Sequence, residues 1–222
     1  MPVEMILVPE GKFLMAEGHD MHPVYVAAFY IAKYPITNRA YQAFVSATGH
    51  KAPRHWQGSY PEVLGDHPVV NVSWHDALAY CDWLSATTGH HYRLPTEAEW
   101  EKAARGADGR TYPWGNVFDK AKCNSWESGM GWTTPVDAYP NGASPGGVMD
   151  MVGNVWEWCS SLHADYPYRA DDGREGLAAE GWRVLRGGSW FDYEWGVRPA
   201  RRLSGQPDEV SHNTGFRVVR EV

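Results

Sequence analysis

Three sets of residues in this chain are of types that can do chemistry: its three cysteines, its ten histidines, and a mixed aromatic and charged stretch near the C-terminus. Cys81, Cys123 and Cys159 are too few and too scattered for a disulfide framework, and none belongs to a CxxC pair. No histidine pair has HxxxH or HExxH spacing; His90-His91 and His19-x-x-His22 come nearest, and both read as turn or surface residues rather than metal ligands. The stretch from Phe191 to Thr214 is different. It mixes aromatics, both charges and small polar residues without a consistent period, between Gly187-Gly188-Ser189-Trp190 and Gly215-Phe216-Arg217, whose types suit tight turns and core insertion. Such a mixture on a rigid frame suits recognition: Phe191, Tyr193 and Trp195 as anchors, and Asp192, Glu194, Ser204, Gln206, Glu209 and His212 as adjustable polar contacts. Arg198, Arg201 and Arg202 are expected to brace that frame by bonding carboxylates or loop carbonyls.

The elements that must carry these residues are short. Met5–Pro9 and Gly11–Met15 read as two strands around a turn, and Val24–Ile31 as one continuing strand. From Asn38 to Thr48 the period changes: Ala40, Tyr41, Phe44 and Val45 fall at helical spacing between Thr37 as N-cap and Gly49 as stop. Ser73 and Asp76 make a capping box for a second helix bearing Ala77, Tyr80, Cys81 and Leu84, closed by Gly89. Thr96 and Glu99 repeat the box for a shorter third helix ending at Gly106. Beyond it Gly, Pro, Asp and Asn punctuate short apolar pieces, and Ala164–Gly181 reads as an acidic exposed loop. Helices in the first half and strands with long loops in the second predict an α+β domain rather than βαβ units, and there is no Rossmann or P-loop glycine pattern.

A chain of 222 residues with no linker-like or repeated segment is read as a single domain spanning 1–222. Its 12 Trp, 12 Tyr and 23 Gly describe tight turns around bulky anchors rather than long helices. A net charge of −7 leaves no basic stripe for phosphates, which argues against a nucleic-acid partner. No segment approaches the ~18 apolar residues of a membrane span, and Met1–Met5 lacks the basic start of a secretory leader. The expectation is a cytoplasmic protein with no membrane partner.

Four segments, in this order and spacing, resemble the formylglycine-generating-enzyme (sulfatase-modifying factor) domain family: Arg93-Leu94-Pro95-Thr96-Glu97-Ala98-Glu99-Trp100-Glu101, Gly153-Asn154-Val155-Trp156-Glu157-Trp158, Leu185-Arg186-Gly187-Gly188-Ser189-Trp190 and Gly215-Phe216-Arg217-Val218-Val219. Val8–Phe13 and Tyr34-Pro35-Ile36-Thr37-Asn38 extend the likeness over nearly the whole chain. The resemblance implies an elaborated C-type-lectin-like fold, with few short helices, small antiparallel sheets and many loops that display a ligand surface near the C-terminus.

What the family does is not implied by its fold. Its sulfatase-activating members hold Cu(I) on two cysteines that follow the GGS-aromatic motif, soft thiolates being what Cu(I) selects. The matching stretch here, Phe191–Arg202, contains no cysteine. The resemblance therefore implies a non-catalytic domain that binds a protein or small-molecule ligand at its C-terminal loop face, as the family's diversified variable proteins do at segments such as 191–214. The alternative it leaves is a metal-dependent oxidoreductase, formylglycine-generating or sulfoxide-synthase-like, that uses other ligands; neither copper nor iron has an evident set of them. The family's structural calcium implies a site at Asp150 and Glu157, with the carbonyls of Gly153 and Val155 between them.

Overall fold

The computed structural model describes residues 3–222. The chain opens with β1 (Met5–Val8), β2 (Gly11–Met15), β3 (His22–Val26) and β4 (Phe29–Ala32), followed by α1 (Asn38–Thr48) and α2 (Trp74–Thr88). After β5 (Tyr92–Arg93) and α3 (Glu97–Arg105) come β6 (Trp156–Leu162), β7 (Arg183–Arg186), β8 (Arg202–Gly205), β9 (Thr214–Gly215) and β10 (Val219–Glu221). The three helices begin and end where the caps place them: Thr37, Ser73 and Thr96 each accept a backbone N–H, the latter two in complete capping boxes, and Gly49 and Gly89 close α1 and α2 in the left-handed region.

The strands form three small sheets in the orders β1-β4-β10-β5, β2-β3 and β8-β7-β6-β9. All pairs are antiparallel except β6 with β9, which run parallel through Trp156↔Thr214 and Glu157↔Gly215. The single strand expected over Val24–Ile31 is two: β3 ends at Val26, β4 starts at Phe29, and the chain changes sheets between them, with β3 pairing to β2 and β4 to β1 and β10. The Ala164–Gly181 loop is mostly exposed, as expected, but is anchored to the body at a few positions. Tyr168 and Arg174 are buried, and Glu175 accepts from Ser160 Oγ (3.1 Å), Ser161 Oγ (2.6 Å) and the Tyr168 hydroxyl (2.9 Å).

Two apolar clusters fill the interior. One joins α1 and α2 to the C-terminal sheet through Tyr41, Phe44, Trp74, Tyr80, Trp158 and Phe216. The other packs Ala98, Trp100, Ala103 and Ala104 of α3 against the N-terminal strands and Cys159 and Val184. Every residue of α3 is buried, including Glu97, Glu99, Glu101, Lys102 and Arg105. Lys102 donates to the carbonyls of Pro9 (2.6 Å), Gly11 (3.1 Å) and Val26 (3.1 Å), Glu99 pairs with Arg93 (2.7 Å), and the other charges are paired in one network. Arg105 donates to Glu101 Oε1 (2.6 Å), Arg186 Nη1 to Glu97 Oε1 (3.3 Å), Arg186 Nη2 to Glu101, and Arg202 Nη2 to Glu97 Oε2 (3.1 Å). Burial alone would lower the proton affinity of Arg186; the carboxylates of Glu101 and Glu97 outweigh it and hold the guanidinium charged. The network clamps α3 to β7 and the start of β8, and so positions the segment that follows Arg186.

Candidate functional site

From β7 the chain turns through Gly187 and Gly188. Gly188 sits at φ 73°, and a Cβ there would lie 2.8 Å from the carbonyl oxygen of Gly196, so only glycine lets the chain fold back on itself here. The turn is pinned by Asp192, whose Oδ2 accepts from Ser189 N–H (2.9 Å), Ser189 Oγ (2.6 Å) and Trp156 Nε1 (2.9 Å). Asp192 is thus a brace and not the adjustable contact its type suggested.

A second turn is tied to the first. Trp126 N–H donates to the carbonyl of Asp192 (2.9 Å), and Glu127 Oε1 accepts from Glu194 N–H (2.9 Å) while its Oε2 takes the Ser125 hydroxyl (2.7 Å). Burial would raise the Glu127 carboxyl; these donors reverse that and keep it an anion. Beneath both turns, Asn154 N–H donates to Asn124 O (2.8 Å) and its carbonyl takes Trp190 N–H (3.0 Å). Gly153, at φ 75°, is forced by the same crossing, since a Cβ there would stand 2.4 Å from Asn124 O.

What this scaffold presents is aromatic. Trp195, Phe191, Trp126 and Tyr193 are 57%, 55%, 48% and 45% exposed. Their rings touch in series: Trp126 lies 5.5 Å from both Phe191 and Tyr193, and Tyr193 stacks 6.5 Å from Trp195. Phe191 continues at 5.5 Å into Trp190, which meets Trp132 and His212 at 5.5 Å each, and His212 stacks on Trp132. The ring contacts therefore run without a break from Trp195 to His212, passing through Trp190, which is itself buried. Four bulky rings held open to water forgo burial that would favour an interior position, and together they form an exposed apolar patch.

The nine residues expected to form the recognition surface separate into groups. Phe191, Tyr193, Glu194 and Trp195 lie on this face, and His212 closes its far end. Ser204 and Glu209 instead line a narrow cavity of about 150 Å³ over Trp156, Trp158 and Leu185, with Glu209 Oε2 accepting from Gln206 N–H (2.9 Å). Gln206 lies beside a different cavity, of about 660 Å³, next to Trp182. Of the arginines, Arg202 braces Glu97 and the Ala164 carbonyl, Arg198 bonds Glu17 (2.9 Å), and Arg201 sits 5.9 Å over the Trp195 ring. Trp126, Trp132 and Glu127 were not anticipated: they lie far from the segment in sequence, in a Gly- and Ser-rich piece without period, and only the fold brings them to it.

The expected ion site divides likewise. Asp150, at φ 53°, accepts from Asn154 Nδ2 (2.8 Å), and burial pushes its carboxyl up to about 7. Glu157 is fully buried with both oxygens occupied: Oε2 by Trp100 Nε1 (2.7 Å) and Arg217 Nε (2.6 Å), Oε1 by Arg217 Nη2 (2.7 Å). Its charge is balanced by arginine. Among the described residues no three His, Cys, Asp or Glu side chains gather to hold a metal. Asp150 fits a hard cation better than Glu157 does, because Arg217 already neutralises Glu157 whereas the buried Asp150 carboxyl has an amide donor and no paired cation.

The cysteines offer no reactive thiol. All three are free and buried, and burial pushes Cys123 up to about 12 and Cys81 and Cys159 higher still. Nor is any helix among the described residues long and apolar enough to cross a membrane.

Comparison with known proteins bears on the family and the fold. The model of the sulfatase-modifying factor enzyme 1-like domain matches residues 1–222. The formylglycine-generating enzyme of Streptomyces coelicolor is 34% identical over 97% of this chain and 88% of its own length, and the inactive C-alpha-formylglycine-generating enzyme 2 of Bos taurus 32% identical over 98% and 88%. The serine/threonine-protein kinase pkn1 of Chlamydia caviae is 32% identical over 99% of this chain, which spans 38% of that relative. Among solved structures, PvdO from Pseudomonas aeruginosa superposes with a TM-score of 0.84 at 30% identity, covering 98% of this chain and 94% of that one. Treponema denticola variable protein 1 gives the same TM-score at 24% identity over 98% and 95%, a likeness of fold.

Proposed function

This chain belongs to the family of sulfatase-modifying factor enzyme 1-like domains, and we propose that within it the chain is a non-catalytic binding domain whose contact surface is the aromatic face from Trp195 to His212. The observation that carries this reading is the continuous set of exposed rings on turns that hydrogen bonds hold rigid. A few rigid aromatics supply most of the energy of a typical interface at little entropic cost. Two observations support the absence of formylglycine chemistry: Phe191–Arg202 has no cysteine, and the three thiols elsewhere are buried and protonated. The ligand in this reading is a protein or a small molecule that meets apolar rings flanked by Glu127 and Glu194. Positions between Phe191 and Thr214 that face outward are the ones free to vary, and the braces Asp192 and Ser189 are not.

Metal analysis of the purified protein with oxygen-consumption measurements tests the non-catalytic part. The reading expects substoichiometric copper and iron and no oxygen uptake with a cysteine-containing peptide; stoichiometric copper or iron with turnover would establish an oxidoreductase instead. Calcium enters the proposal as a structural ion with Asp150 as its main carboxylate and the Gly153 and Val155 carbonyls beside it. A reducing, cytoplasmic setting completes it, supported by three free thiols.

A further inference from the structure

His22, at the start of β3, ties the Ala164–Gly181 loop to the N-terminal strands, and both nitrogens of its ring are engaged. Nδ1 lies 2.7 Å from the carbonyl oxygen of Asp20, and Nε2 lies 2.9 Å from the backbone nitrogen of Tyr168. Neither partner can change its role. A carbonyl only accepts, so Nδ1 carries the proton; a backbone N–H only donates, so Nε2 is bare. The contact exists with the neutral imidazole in that one tautomer, and a proton added at Nε2 would set two N–H groups against each other. The Tyr166 ring packs 5.3 Å from the imidazole, and Tyr168 is buried, so its N–H bears a desolvation cost once the acceptor is lost.

Little around this ring favours a second proton. On the turn before β3, the half-exposed Asp20 carboxylate lies 3.4 Å from His19 Nε2. In the loop, Asp165 is exposed, Arg174 pairs with Asp172 (2.6 Å) and covers the Tyr168 ring at 4.9 Å, and the Tyr168 hydroxyl donates to Glu175 (2.9 Å). Arg202 covers the Tyr166 ring at 4.3 Å and bonds Glu97. On α3, which packs against β2 and β3, Glu101 pairs with Arg105 and Lys102 is held by three carbonyls. The histidines in ion pairs among the described residues are His19, His50 and His75, not His22. The far half of the loop is anchored by groups that acid does not release. Glu175 accepts from Ser160, Ser161 and Tyr168, and burial raises its carboxyl, so the folded protein gains rather than loses from that proton. Arg183, charged throughout the acid range, donates to the carbonyls of Gly176, Leu177 and Ala179.

We propose that His22 is an acid-sensitive latch: neutral, it holds the Tyr166–Tyr168 part of the loop against β3, and on protonation that part loosens while Glu175 and Arg183 keep the remainder in place. The latch is independent of the aromatic face. Amide exchange of Tyr168 in the full chain, followed by NMR at about pH 7.5 and about pH 5, on either side of the ordinary histidine range, tests it once each rate is divided by that of an unstructured chain at the same pH. The expected result is a loss of protection of roughly tenfold or more at the lower pH, with the β6 amides unchanged as the reference for global opening. His22→Gln, whose amide takes up no proton, should show the same Tyr168 protection at both pH values. Ring nitrogen shifts at the higher pH give a second readout, a protonated Nδ1 and a bare Nε2. Wild-type protection that does not change with pH, a fall that His22→Gln or the β6 amides share, or the opposite tautomer would each overturn the proposal.

Discussion

Around α3 the protein puts charge inside, and around Trp126 and Phe191–Trp195 it puts aromatic rings outside. Glu97, Glu101, Arg105, Arg186, Glu157 and Arg217 are essentially shut from water, while four bulky rings a short distance away are about half exposed. Each placement is the costly one for its residue type. Buried ions must recover their hydration through mutual pairing, and half-exposed rings forgo about half of the roughly 1.5–3 kcal/mol that full burial of each would give. The difference between the regions is in what compensates them. Every carboxylate in the α3 network meets arginine within the same chain, whereas the exposed rings of the aromatic face meet mainly one another. The first region is complete as it stands; in the proposed function the second finds its compensation in a bound ligand.

That contrast is broken most severely by opening a buried pair. Arg217→Met leaves Glu157 as an uncompensated charge and should cost about 3–5 kcal/mol, read from the denaturant midpoint. Adding Glu157→Gln should restore part of the loss, and a double variant no better than the single would show that the pair is not what stabilises this region. Calcium is the next lever. An ion bound only by the folded state contributes about 2.7 kcal/mol at a hundredfold excess over Kd, so a chelator should lower the melting temperature of the wild type but not of Asp150→Asn. An unchanged wild-type melting temperature removes calcium from the account.

A smaller effect is expected from acid. Burial lowers His55 from its ordinary 6.5 to about 4, with His55 Nε2 3.0 Å from Asn38 Oδ1. Between those values the unfolded chain takes up a proton that the folded chain refuses. Stability from this group is therefore full above pH 6.5 and lost as the pH falls toward 4, by about 1–2 kcal/mol after allowance for partial exposure. His67 is lowered by burial in the same direction. In His55→Gln this part of the acid limb should flatten, and an unaltered slope between pH 6.5 and 4 would show that His55 is not responsible.

The two regions also differ in how far they could be read from sequence. Helix limits were legible because Thr37, Ser73-Asp76 and Thr96-Glu99 act on neighbours three residues away. Phe191, Tyr193 and Trp195 were legible as exposed residues because they lie between two turn-forming motifs. The burial of α3 was not, since Glu97 and Glu101 find Arg186 only through tertiary contact. Neither was the brace role of Asp192, which depends on Trp156 crossing beneath it, nor the contribution of Trp126, brought in by the bonds between two distant turns. The break at Ala27-Ala28 escaped because an apolar run looks alike whether it serves one sheet or two.

The smallest expected change in stability accompanies the largest in function, and it tests the separation of frame from face most directly. Replacing Trp126, Tyr193 and Trp195 together with alanine should leave the melting temperature nearly unchanged, since exposed substitutions stay within about 0.5 kcal/mol each. Retention of the partner that wild-type protein captures, measured on the same two preparations side by side, should collapse. A triple variant that unfolds, or one that stays folded and keeps full partner binding, would contradict the account.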